Sequence, residues 1–94
     1  MVSPDDVHAA REAIAGRLHR TPVFSSETLG RGVFLKAELF QKTGSFKPRG
    51  VLTKLASLTP DERRPGVIAI SAGNHAQAVA WAAAREGLDA LLVM

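Results

Sequence analysis

The order of segments after residue 66 leaves few folds open to this chain. Val67-Ile68-Ala69-Ile70 is apolar at every position, the pattern of a parallel strand covered by helices on each side. Ser71-Ala72-Gly73 follows as a tight turn, and residues 74 to 86 favour helix, with Gly87 suited to the left-handed cap that ends one. Ala90-Leu91-Leu92-Val93-Met94 then reads as a second inner strand. Strand, turn, helix and strand make a βαβ unit with a right-handed crossover. The expected fold class is therefore α/β, an open, largely parallel sheet with βαβ units. Within the helix, Ala76, Ala78, Val79, Ala80, Trp81, Ala82, Ala83 and Ala84 cover almost the whole circumference, which predicts a buried, closely packed element.

Upstream, Pro4-Asp5-Asp6 offers a capped, acidic start for a helix running towards Gly16, with Val7, Ala10, Ile14 and Leu18 on one face. Thr21-Pro22 ends that segment. Val33, Leu35, Ala37 and Leu39 alternate with Phe34, Lys36 and Glu38, a strand pattern with one face more buried. Gln41-Lys42-Thr43-Gly44 reads as a loop. Ser45 is a good N-cap, and Val51, Leu52, Leu55 and Leu58 recur at helical intervals after it. Pro48 is tolerated in the first turn, where its missing N–H costs nothing. Thr59-Pro60-Asp61-Glu62 looks like a short capped turn, and Pro65-Gly66 is a break.

Ninety-four residues make at most one small domain. The chain stops in an apolar run with no polar cap after it, so residues 1–94 are expected to be a single incomplete α/β domain with no internal boundary. The formal charge is +3, with Lys and Arg scattered among acids, which argues against a nucleic-acid partner. The absence of cysteine excludes disulfides, thiolate metal sites and Cys nucleophiles within the segment. Residues 1–6 lack a basic start and apolar stretch, and the alanine-rich run near Trp81 is too short to span a bilayer. A soluble, cytoplasmic protein without a membrane partner is the expectation. His8 and His19 stand alone, with no second ligand at metal-binding spacing, so no metal site is expected.

Two segments carry chemistry. Ser71 ends a strand and Asn74-His75 begins a helix, and ligands collect at such junctions because the first helical N–H groups lack internal partners. Gly73 permits a sharp turn and close approach of a ligand, and the helix end contributes about half a positive charge. An amino-acid carboxylate fits there, and so does a plain turn capped by Ser71 and Asn74. Lys47 lies at the start of the other helix, where the positive end of the dipole disfavours an ammonium. A neutral amine is the nucleophile that forms a Schiff base with an aldehyde. Taken alone, Lys47 is more simply a solvated surface lysine.

Together, Ser45-Phe46-Lys47-Pro48-Arg49-Gly50 and Ser71-Ala72-Gly73-Asn74-His75-Ala76-Gln77 closely resemble the pyridoxal-phosphate (PLP) lysine motif and substrate loop of the threonine dehydratase and serine racemase group of fold type II PLP enzymes. The resemblance runs from Thr21 to Met94. It implies that Lys47 holds pyridoxal 5'-phosphate as a Schiff base and later removes the Cα proton, with Phe46 beside the cofactor and Asn74 on the ring hydroxyl. It implies further that Ser71 and His75, with the neighbouring backbone of Ala72, Gly73 and Asn74, hold the carboxylate of a threonine or serine substrate. The reaction implied is β-elimination to a 2-oxo acid and ammonia by a lyase that assembles as a homo-oligomer.

Racemases of the group carry a serine immediately before the loop glycine. Here that residue is Ala72, whose methyl group cannot return a proton, so a dehydratase is expected over a racemase. A racemase, another fold type II PLP enzyme and a non-catalytic fragment or interaction domain are the alternatives. The group also binds the cofactor phosphate with a glycine-rich loop. None of the eight glycines here adjoins another, so this piece alone is expected to be inactive.

Overall fold

The computed structural model describes residues 1–94. Helix α1 (Pro4–Ala13) opens on a reciprocal cap in which the Ser3 hydroxyl accepts the Asp6 N–H at 3.2 Å and the Asp6 carboxylate accepts the Ser3 N–H at 2.7 Å. It ends short of Gly16, because Ala15 and Arg17 donate to the carbonyls of Glu12 and Ile14 in tighter turns. Ile14 and Leu18 nevertheless stay against the core, as their spacing predicts.

Strands β1 (Val23–Ser25) and β2 (Phe34–Lys36) form an antiparallel pair with Phe24 opposite Leu35. The alternation through Leu39 predicts a longer second strand. Ala37 instead donates its N–H to the Pro22 carbonyl at 2.8 Å, and Phe40 then bonds back to Ala37. The chain curls into two 3₁₀ turns, Glu38–Phe40 and Lys42–Gly44, leaving Leu39 exposed and Ala37 buried.

Helix α2 (Lys47–Ala56) and the one-turn helix α3 (Pro60–Arg63), capped by Thr59 and Glu62, lead to β3 (Val67–Ile70). Helix α4 (Asn74–Glu86) has the bounds its sequence predicts. Gly87, at φ 67°, closes it by donating to Ala83 and Ala84. Strand β4 (Ala90–Val93) pairs in parallel with β3, Ile68 opposite Leu91 and Ile70 opposite Val93. The α/β class and the parallel βαβ pairing therefore stand, with the short antiparallel pair beside them.

The core is a seam between two helices. Val51, Leu52 and Leu55 of α2 pack against Ala78, Val79 and Ala82 of α4, and Val67, Ala69 and Leu92 close it from the sheet. Leu52, Ala78 and Ala82 have no solvent exposure. Burying a leucine fully stabilises the fold by roughly 2–3 kcal/mol. Four expectations of deeper burial are corrected. Strand β2 is exposed along its whole length, Leu35 included, and β4 is not an inner strand, since only Leu92 turns to the core while Leu91 and Val93 are exposed. Helix α4 hides only one side, since Ala80 and Ala84 are exposed and Trp81 is half-buried beneath the Arg85 guanidinium, 4.9 Å from the ring. Strand β3 is covered on one face only: Val67 and Ala69 meet the helices, while Ile68 and Ile70 are 67% and 82% exposed because no element lies over that side.

Polar staples fasten the far end of α4. Glu86 receives hydrogen bonds from Arg17 and, at 3.1 Å, from Arg63, which also donates to the Leu55 carbonyl at 2.7 Å. No helix is long and apolar enough to cross a membrane.

Candidate active site

Lys47 is the first residue of α2. Ser45 is buried before it, and its hydroxyl accepts the Lys47 N–H at 3.3 Å; the N-cap expected at Ser45 falls instead on Phe46, whose backbone is already helical, and no side chain caps the helix. Pro48 is fully buried, so the residue after the lysine anchors the helix start. The Lys47 ammonium nitrogen rests 5.1 Å from the centre of the exposed Phe46 ring, within cation–π range. Arg49 does not face an anion site: its guanidinium pairs with Glu38 at 2.6 Å.

The second segment turns at the end of β3. Ser71 completes the sheet by donating its N–H to Val93 at 2.9 Å, and its hydroxyl accepts the Gly73 N–H at 3.2 Å. Gly73 stands before α4 with no side-chain cap on the helix, and its carbonyl receives the Gln77 N–H at 3.2 Å. The first N–H groups of α4 therefore have no side chain of the cap to satisfy them. Ala72, Gly73 and Asn74 are exposed and His75 is half-buried.

Packing of α2 on α4 brings the two segments together. A cavity of about 530 Å³ is lined by Phe46 and Lys47 from the start of α2, by His75 from the start of α4, and by Val51, Ile68 and Val79 among its apolar walls. Ser71, Ala72, Gly73 and Asn74 do not line this cavity; of the second segment, His75 does. Two helix starts converge there, each carrying about half a positive charge. A primary amine, an imidazole and two dipole ends favouring an anion suit a cofactor that bears an aldehyde and a substrate that bears a carboxylate.

Residues 14–94 match the family described as pyridoxal-phosphate dependent enzyme. The chain belongs to that family. PLP is the cofactor on which the family depends, and the Lys47 amine and His75 imidazole that line the cavity suit it. This family member is 46% identical over 97 residues to the L-threonine dehydratase catabolic TdcB of Escherichia coli K12, covering 99% of this chain and 30% of the relative. It is 48% identical over 100 residues to the serine racemase of Homo sapiens, covering 99% of this chain and 29% of that protein. Among solved structures, maize serine racemase superposes with a TM-score of 0.87 at 40% identity, over 97% of this chain and 30% of the other. The chain thus spans about 30% of the length of the curated relatives it matches.

One residue of the site region escaped the sequence. Gln41 lies in the stretch read as a loop, yet it is 4% exposed and its side chain joins residues 22 positions apart. Its partner is the backbone of His19, and no local pattern announces a contact of that separation.

Proposed function

We propose that this family member is the lysine-bearing part of a PLP-dependent ammonia-lyase that acts on threonine or serine and yields a 2-oxo acid and ammonia. The observation that carries the reading is the shared cavity of Lys47 and His75 at two helix starts. Residues 1–94 form one incomplete α/β domain in this reading. In support, the radius of gyration is 15.2 Å, against about 12 Å for a compact domain of this length. The whole enzyme is taken to be cytoplasmic and homo-oligomeric, and the 94-residue piece inactive by itself.

The residues divide the work as follows. The Lys47 amine holds the cofactor, Phe46 flanks its ring, and the Asn74 carboxamide bonds its ring hydroxyl. The Ser71 hydroxyl, the His75 imidazole and the N–H groups along Ala72 and Gly73 hold the substrate carboxylate. When bound, PLP supplies an electron-accepting ring that stabilises the charge left on Cα. Lys47 takes the Cα proton on Nζ, and the grip on the carboxylate orients the Cα–H bond for that transfer. Ala72 presents only a methyl group where a racemase of this group has a hydroxyl. With no second acid or base from this loop, loss of the β-hydroxyl is favoured over return of the proton.

The test uses the full-length protein with PLP. L-threonine and L-serine should give 2-oxo acids and ammonia, and Lys47→Ala should abolish both the products and the yellow colour of the lysine-bound cofactor. Formation of D-serine faster than pyruvate, or a Lys47→Ala protein that keeps its colour, overturns the reading.

A further inference from the structure

The turn that presents Lys47 is held in an unusual conformation. Thr43 has φ 65° and Gly44 φ 76°, and a β-branched residue seldom occupies that left-handed region. The contacts that hold it come from Gln41. Its Oε1 accepts two N–H groups, from His19 at 3.0 Å and Lys42 at 2.9 Å, while its Nε2 donates to the His19 carbonyl at 2.7 Å. Its own carbonyl accepts the Gly44 N–H at 2.8 Å. One buried carboxamide thus grips the His19 backbone through both its N–H and its carbonyl and holds the entry of the 42–44 turn, while the main-chain carbonyl of the same residue holds its exit.

The point that Gln41 grips is itself fixed. Leu18, the neighbour of His19, packs on the core, and Arg17 bonds Glu86 of α4. From the bracketed turn the chain passes through buried Ser45, whose hydroxyl takes the Lys47 N–H. We propose that Gln41 is a positioning residue for Lys47: it locks the 42–45 turn to the core-anchored 17–19 segment and so fixes where the lysine leaves α2. The proposal rests on the lyase reading for its catalytic consequence, while the lock itself is independent of it.

The experiment uses the full-length protein and Gln41→Met, which keeps length and removes both donor and acceptor. Amide hydrogen exchange at Gly44 and Lys47 should quicken tenfold or more. The rate at which borohydride traps PLP on Lys47, read by mass spectrometry, should fall about tenfold, and kcat should fall with it while KM stays within twofold, the signature of a misplaced reacting group. Unchanged exchange at Gly44 and Lys47 overturns the proposal. So does faster exchange with unchanged trapping and kcat, which makes Gln41 merely structural. If the unaltered protein is never labelled at Lys47, the lyase reading fails, and exchange alone then decides whether Gln41 holds the turn. Should Gln41→Met not fold, Gln41→Glu keeps the acceptor, loses the donor to His19 and, when ionised, sets a carboxylate oxygen against the His19 carbonyl. Its defect should shrink as acidification protonates the side chain and restores a donor, and a defect indifferent to pH refutes the lock.

Discussion

Truncating Leu52 to alanine tests the seam that sets the site. The residue is fully buried, and α4 faces this part of α2 with Ala78, Val79 and Ala82. Leu→Ala removes the three carbons beyond Cβ, about 0.8 kcal/mol each, or about 2.4 kcal/mol of transfer free energy. A cavity term adds to this. The methyl groups of Ala78 and Ala82 cannot swing into the space, so collapse requires a helix to move, and the total comes to about 3–4 kcal/mol. Leu52→Met, which keeps the volume, should cost less than about 1.5 kcal/mol. Guanidinium unfolding followed by the fluorescence of Trp81, the single tryptophan of the chain, measures both. A loss below about 1 kcal/mol for Leu52→Ala, at an unchanged denaturant slope, would show that the seam is not tightly packed. The seam would then not fix the spacing between Lys47 and His75.

Gly66→Ala should destabilise the fold by about 2–4 kcal/mol. Its φ is 83°, and an added Cβ would lie 2.6 Å from the Asp89 carbonyl oxygen; a thermal midpoint within a degree of the unaltered protein contradicts this. Glu86 makes stability depend on pH. Hydrogen bonding from Arg63, then from Arg17, holds its carboxyl below the ordinary value of 4.5 against the opposing effect of burial. The folded value is thus below the unfolded one, so the contribution is fully present above about pH 4.5 and is lost as pH falls through the lowered folded value. Glu86→Gln should cost about 1–2 kcal/mol at neutral pH and flatten the acid limb of a denaturation-midpoint series. Parallel acid limbs for the two proteins would remove Glu86 as the cause.

Where local chemistry decides, the sequence was legible. Helix α4 begins and ends where Gly73 and Gly87 place it, and 59–62 caps as the Thr59 hydroxyl predicts. The two motifs read as one site contribute residues, Lys47 and His75, to one cavity. Where distant backbone decides, legibility ended. Ala37 leaves the strand for a bond to Pro22, and Gln41 turns inward to His19. Neither partner can be inferred from alternation or turn propensity. The apolar pattern of 67–70 predicts cover on two faces, because hydrophobicity reports what a strand tolerates on each side and not which neighbours are present.

Alanine has no rotamers. A helix interface closed by Ala78 and Ala82 therefore behaves as a rigid spacer, with the gauge between α2 and α4 set by backbone radius and a methyl group. Where those two methyl groups meet α2, no side-chain adjustment can widen the gap, and the helices part there only if backbone moves.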